Sequence, residues 1–403
     1  MTIEKHLHML APSGADVLSA QHGRPLKPFA PEVMNFLGEL SETLSTDPRV
    51  RGLPDVYSFG FWCRRSALER MRRSYSEHEY RLGRGLVFHI SPANVPVNFA
   101  YSLAAALLAG NSNIIRVPSV EFTQVKIMIE AIDALLNAPA HRSLRDHIRL
   151  VRYDREREDI TAAISKICDV RVIWGGDDSI DKIRTHLVPP RAFDITFADR
   201  YSVCIIDADR YLSQANPLAV AEGFYNDTYL FDQNACTAPH LVLWWGTPEL
   251  ISKARQIFWD ALHAHVLVRG YSLEADSAMA KWAHALQYVA LNTDSRIITG
   301  QDNLITRIEI KKLTSGIEDW HGNCGFFFEH TLENLETLAT IANRRYQTLS
   351  YYGFEKEDLQ KIVLHGRASG IDRIVPVGRT LEFSLSWDGY DLVRSLSRVI
   401  TAN

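Results

Sequence analysis

From about residue 84 the chain alternates short apolar runs with longer segments of helical period. Leu86-Val87-Phe88-His89-Ile90, Asn113-Ile114-Ile115-Arg116-Val117, Ile148 to Tyr153 and Val170-Arg171-Val172-Ile173-Trp174 read as strands. Between them lie helical stretches. One runs from Asn98 to Ala109 and is closed by Gly110, and another runs to about Asn137 with Ser119 as its cap. Two more cover Arg157 to Cys168 and Asp178 to Leu187. This alternation predicts βαβ units on a mostly parallel, buried sheet. Strands Phe193 to Phe197 and Ser202 to Asp207 are expected to end that first domain.

A helix over Leu218 to Tyr225, opened by Pro217, begins a second series. Its strands are His240 to Trp245, Ile305 to Ile310, Gly325 to Glu329 and Arg373 to Val377, with helices over 248–266 and 273–289. The expected organisation is an N-terminal helical segment (1–80) packing on a first α/β domain (81–207), a second α/β domain (208–378) and a C-terminal segment (379–403). Cys236 then stands at the front edge of the second domain.

At 403 residues, 46% of them apolar, the chain can bury two domain cores. A net charge of −4 gives no sign of a nucleic-acid partner. The cluster Arg64, Arg65, Arg70, Arg72, Arg73 reads as a solvated helix face. No signal-peptide pattern stands at the N-terminus. The longest apolar stretch, Phe99 to Ala109, is about ten residues, too short to span a bilayer. Five scattered cysteines without metal-ligand spacing fit a reducing cytoplasm and no metal site.

Chemistry concentrates in Phe231-Asp232-Gln233-Asn234-Ala235-Cys236-Thr237-Ala238-Pro239-His240. The polar neighbours and Pro239 argue for a loop, where a thiolate can attack a carbonyl and carry a thioester. Cys324, which opens an apolar strand, reads as structural, and Cys168 and Cys204 as core. His240 more simply begins a strand than relays a proton. Upstream, Ser91-Pro92-Ala93-Asn94-Val95-Pro96 follows the first strand, where doubly wound sheets hold ligands. The Asn94 amide is a candidate oxyanion donor of the kind that lowers a barrier by about 3–4 kcal/mol. A plain turn asparagine explains the spacing equally well.

No G-x-G-x-x-G follows any strand. Two weaker cofactor signals remain: Arg116-Val117-Pro118-Ser119 at a strand end, and Trp174-Gly175-Gly176-Asp177-Asp178 entering a helix. The two aspartates serve equally well as simple caps, and they would repel a close phosphate.

Together these segments resemble the aldehyde dehydrogenase superfamily, and within it the LuxC-type acyl-CoA reductases known from luminescence operons. The resemblance runs over roughly residues 80–403. It adds Gly110-Asn111-Ser112-Asn113, Gln347-Thr348, Ile371 to Gly378 and Trp387-Asp388-Gly389-Tyr390-Asp391 to the segments above. It implies an α/β fold of aldehyde dehydrogenase type, with two doubly wound domains and an interdomain cleft. It further implies Cys236 as the catalytic thiol, Asn94 as oxyanion donor with the Cys236 N–H, and Arg116, Pro118, Ser119, Gly175 and Gly176 at the cofactor.

Departures sharpen the expectation. Ile195 to Tyr201 holds no glutamate where hydrolysing relatives carry a water-activating base, so a thioester suits exchange with coenzyme A better than hydrolysis. Arg116 favours NADP(H), with NAD(H) as the alternative. Val117 stands where the family has a lysine, and Asp177 where it more often has a serine or threonine. The expected activity is NADPH-dependent reduction of a fatty acyl thioester, from coenzyme A or an acyl-protein, to the aldehyde. It would proceed through an acyl-cysteine in a cytoplasmic homo-oligomer working with an acyl-activating partner. Aromatic runs Phe326-Phe327-Phe328, Trp244-Trp245 and Tyr351-Tyr352 are candidate walls of an acyl tunnel. The competing readings are an acyltransferase without a redox step, and a silent assembly subunit.

Overall fold

Six strands build the first sheet, in the order His8–Ala11, Ile148–Arg152, Ser112–Arg116, Leu86–Ile90, Val170–Trp174, Phe193–Phe197. All neighbours pair parallel except the first strand, which runs antiparallel to Ile148–Arg152. The computed structural model describes residues 6–75, 80–92, 95–298, 300 and 302–402. The chain divides into two units, Met1–Ala198 with Phe383–Asn403, and Asp199–Glu382.

In the first unit the buried strands alternate between two cores, as the two-residue strand period demands. Val87 packs with Phe36, Leu107 and Val170, while Leu86, Phe88 and Ile90 pack with Ile160 and Ile164. Helix Asn98–Leu108 is apolar all round and accordingly buried except at Asn98 and Tyr101. Gly110 ends it at φ +91°, where a Cβ would meet the Leu26 carbonyl oxygen at 2.1 Å.

From strand Leu86–Ile90 the chain builds outward to one side, then returns to build on the other with Val170–Trp174. The order reverses between these two strands. That is the switch point at which doubly wound sheets bind ligands, at the strands' carboxyl ends.

A directional chain of hydrogen bonds lies buried here. Trp174 Nε1–H donates to Ser102 Oγ at 3.1 Å, His89 Nδ1 and Ser102 Oγ are 2.7 Å apart, and His89 Nε2 is 3.1 Å from Asn113 Oδ1. Asn113 Nδ2 serves two backbone carbonyls, so its Oδ1 can only accept and His89 is protonated on Nε2. Burial pushes the His89 pKa down to about 4, against the raising effect of the Asn113 bond.

The second sheet has seven strands: Ser295–Ile298, Thr306–Ile310, Phe326–Thr331, Pro239–Trp245, Tyr201–Asp207, Tyr346–Tyr352, Arg373–Pro376. Only its first strand is antiparallel. Leu241, Leu243, Phe326 and Phe328 face one core, and Val242, Trp244 and Phe327 the other. Buried Glu329 accepts from Trp244 and Trp259 Nε1 at 2.9 Å each and pairs with Arg307 at 2.6 Å.

Several expectations need correction. The first domain was expected to extend to 207, but Tyr201–Asp207 is an inner strand of the second sheet. A continuous apolar run reports burial and not which sheet buries it. The C-terminal segment returns to the first unit from Phe383, where Ser397–Val399 pairs with Arg81–Gly83. Ser119 is not a helix cap, because the helix is Thr123–Asn137 with Phe122 preceding it. The N-terminal segment packs helix Pro31–Thr46 on the first unit's core and also supplies an edge strand, His8–Ala11. Phe326, Phe327, Phe328 and Trp244 are core residues and not open walls of an acyl tunnel, their side chains being fully buried in the two cores.

Candidate active site

The thiol loop begins where helix Pro217–Thr228 runs out. A turn over Tyr229–Phe231 leads to Asp232 and Gln233, both in the left-handed region at φ 51° and 59°. Such conformations cost on the order of 1–3 kcal/mol each and persist only where the surroundings hold them. Gln233 supplies the hold. Its Oε1 accepts from the N–H groups of Gly325 at 2.7 Å and Phe326 at 2.8 Å. Its Nε2 donates to the carbonyls of Phe326 at 3.0 Å and Pro239 at 3.2 Å. The side chain is buried with four partners, its whole capacity.

Three residues on, Cys236 is half-buried at the amino-terminal edge of the second sheet. Ser202 Oγ donates to its carbonyl at 2.8 Å, and Gln347 Nε2 lies 3.5 Å from Sγ. The Thr348 N–H in turn donates to Ser202 Oγ at 3.2 Å. Both neighbours of the Tyr201–Asp207 strand slip register here. Gln347 and Thr348 together oppose the single Ser202, and His240 is the extra residue between Pro239 and Leu241. Bulges of this kind re-aim side chains and gather beside active sites.

His240 has its Nδ1–H held by the protein. Its Nδ1 is 3.0 Å from the Gly322 carbonyl and its ring stacks on Tyr201 at 5.7 Å. Burial, with His321 beside it, pushes its pKa down to about 3, so it stays neutral. The other cysteines are poor thiolates. Burial raises Cys168 and Cys204 to about 12, Cys63 well above its ordinary value, and Cys324 to a lesser degree. Cys324 sits at φ 59° in the turn before Phe326–Thr331, its carbonyl accepting from Lys281 Nζ at 2.7 Å.

In the first unit the expected cofactor residues share one sheet edge. Arg116 ends strand Ser112–Arg116 and Gly175 follows Val170–Trp174, with strand Leu86–Ile90 between them. Two strand spacings separate the pair, about 10 Å. The Arg116 guanidinium lies 4.9 Å over the Tyr153 ring, and its buried Nε has no partner among the described residues. Pro118 is buried and its carbonyl accepts from Arg152 Nε at 3.2 Å, while Ser119 is exposed. Gly176 precedes helix Asp177–Arg184, whose first turn holds exposed Asp177 and Asp178. An orphaned guanidinium nitrogen one strand away from the switch point fits a cofactor phosphate, and the two aspartates oppose one. The Asn94 expectation falls outside the described residues.

Reading the sequence missed Ser202 and the strand carrying Gln347 and Thr348. Tyr346 to Ser350 is buried throughout yet half polar, so neither alternation nor an apolar run announces it. The only signal was the Gln347-Thr348 pattern, which carried no chemistry until Sγ was placed beside it.

Residues 59–253 match the family model described as acyl-CoA reductase (LuxC). A long-chain acyl-protein thioester reductase from Photorhabdus laumondii is 28% identical over 326 residues, covering 79% of this chain and 63% of that protein. The protein of the same description from Aliivibrio fischeri is 30% identical over 312 residues, 73% of this chain and 58% of that one. The chain thus spans about three fifths of these relatives' length. Among solved structures, salicylaldehyde dehydrogenase from Pseudomonas putida G7 superposes with a TM-score of 0.66 at 11% identity, covering 99% of this chain and 94% of the other. A lactaldehyde dehydrogenase gives 0.65 at 13%, covering 98% and 91%. This chain is thus similar to the LuxC-type acyl-CoA reductases over residues 59–253, and its fold is of the aldehyde dehydrogenase type.

Proposed function

We propose that this protein reduces a long-chain acyl thioester to the aldehyde through an acyl group held on Cys236, with NADPH as reductant. The observation that carries the reading is the setting of the Cys236 sulfur. It is half-buried on a loop clamped by Gln233, with an amide donor directed at it.

The Cys236 thiolate attacks the carbonyl of an acyl-protein or acyl-CoA, the new S–C bond forms, and the donor's thiolate leaves and takes up a proton. The oxyanion is held by backbone N–H groups of the loop and by Asn94, as the family likeness implies. A bound nicotinamide would supply the hydride that reduces the acyl carbon. The C–S bond then breaks, the aldehyde departs and the electron pair returns to Cys236. Residues Ala198–Arg200, which link strand Phe193–Phe197 to strand Tyr201–Asp207, include no glutamate to activate water, which favours thiol exchange over hydrolysis. Arg116, Pro118, Ser119, Gly175 and Gly176 would hold the cofactor, with the Arg116 guanidinium on a phosphate.

The test is to incubate the purified protein with radiolabelled palmitoyl-CoA, with and without NADPH. The expected result is label on Cys236 that is discharged as aldehyde when NADPH is added, and no label on Cys236→Ala. Undiminished labelling of that variant would refute the role. Turnover to a new acyl ester without nicotinamide would favour an acyltransferase.

A further inference from the structure

We propose that Gln347 is a catalytic residue, its amide holding the Cys236 sulfur as a thiolate before acyl transfer and again as the aldehyde departs. The inference rests on the reading of Cys236 as the acylated thiol.

Gln347 has no solvent exposure, so its amide depends on protein partners. Its Nε2 is 3.5 Å from Sγ. A neutral thiol is a weak acceptor, whereas a thiolate makes a charge-assisted bond about twice as strong as a neutral one. The geometry therefore serves the charged sulfur best.

The orientation of the amide is supported from behind. Thr348 Oγ1 lies 3.4 Å from Gln347 Oε1 and can donate to it, with Nε2 toward the sulfur. The backbone of Thr348 binds Ser202, and Ser202 binds the Cys236 carbonyl. One dipeptide thus grips both ends of the cysteine. In a regular strand adjacent side chains point to opposite faces. The register slip that sets two residues against Ser202 is what lets Gln347 and Thr348 act on one point.

Across the reaction the bond strengthens and weakens with the charge on sulfur. It favours the thiolate that attacks, slackens when the S–C bond makes the sulfur neutral, and strengthens as that bond breaks and the electron pair returns. His240 cannot substitute, being neutral and committed to Gly322.

Gln347→Met and Gln347→Leu remove the N–H at similar volume, and Thr348→Val removes the hydroxyl that orients it. The measurement is the rate of Cys236 alkylation by iodoacetamide against pH, read on the Cys236 peptide by mass spectrometry, with thermal unfolding recorded alongside. The midpoint should rise by about one pH unit or more in the Gln347 variants, and by less in Thr348→Val. Acylation by palmitoyl-CoA at neutral pH should slow about tenfold. An unshifted midpoint in any folded Gln347 variant, or in Thr348→Val if neither folds, overturns the role. Parallel labelling of the unsubstituted protein separates the two readings. A shifted midpoint without acylation sinks the acyl-thioester reading and keeps the amide–thiolate pair. Acylation of Cys236 with an unshifted midpoint does the reverse.

Discussion

Gln233 and Phe326 are joined twice, the Phe326 N–H donating to Oε1 at 2.8 Å and its carbonyl accepting from Nε2 at 3.0 Å. A side-chain amide here takes the place of a neighbouring strand's backbone. It welds the thiol loop to the start of Phe326–Thr331, so the position of Cys236 depends on a side chain that is itself buried. Gln233→Leu strands the Gly325 and Phe326 N–H groups in a buried site and should cost about 2–4 kcal/mol. Urea unfolding measures the loss, and Cys236 acylation should fall with it.

Acid should destabilise the fold through two histidines. His89 and His240 are buried with pKa values pushed down to about 4 and about 3. The unfolded chain binds their protons from about pH 6.5 downward, so their stability contribution is present above that value and lost as pH falls toward 4. Urea midpoints from pH 7 to pH 4 should drop, and His89→Gln should flatten the upper part of the curve.

Asp227 works with the opposite sign. Burial raises it to about 6, against bonds accepted from the N–H groups of Gly378 at 2.6 Å and Thr380 at 2.9 Å. Its contribution is complete below about pH 4 and lost as pH rises through 6, which partly offsets the histidines. The same contact seats Gly378, at φ +91°, against Gly223, where a Cβ on Gly378 would meet the Gly223 Cα at 3.0 Å. Gly378→Ala should lower stability by about 1–3 kcal/mol, read by calorimetry.

Glu329 is the polar pin of the second unit. Replacing it by Ala leaves the buried Trp244 and Trp259 N–H groups and the half-buried Arg307 guanidinium without their acceptor. A loss of about 3–5 kcal/mol is expected. Glu329→Gln should recover part of it, since one oxygen remains to accept.

Arg116→Ala tests the cofactor assignment. The KM for NADPH should rise about tenfold with the KM for NADH little changed, because only the former carries the extra phosphate. Equal rises would assign Arg116 to a feature common to both.

Local pattern carried most of the fold. Pro217 opens its helix at the first position as its ring predicts, with Asn216 capping ahead of it. Leu86–Ile90 and Val170–Trp174 are strands buried at every position, which is what short, mostly apolar runs encode, the single polar residue in each (His89, Arg171) being buried as well. Tyr346–Tyr352 went unread because its buried polar residues are satisfied by distant partners that no window contains. The site divided in the same way. Cys236 was legible from its polar loop, whereas Ser202 looked like any strand residue.

The amino-acid sequence by itself determined the α/β alternation, the thiol loop and the lack of a glutamate from Ile195 to Tyr201, because run length, turn residues and residue identity are local properties. Only the tertiary structure decided which sheet receives Tyr201–Asp207 and which side chain meets the sulfur. Gln347 stands 111 residues from Cys236. It arrives there through strand order and a slipped register, neither of which is written in either residue's neighbourhood.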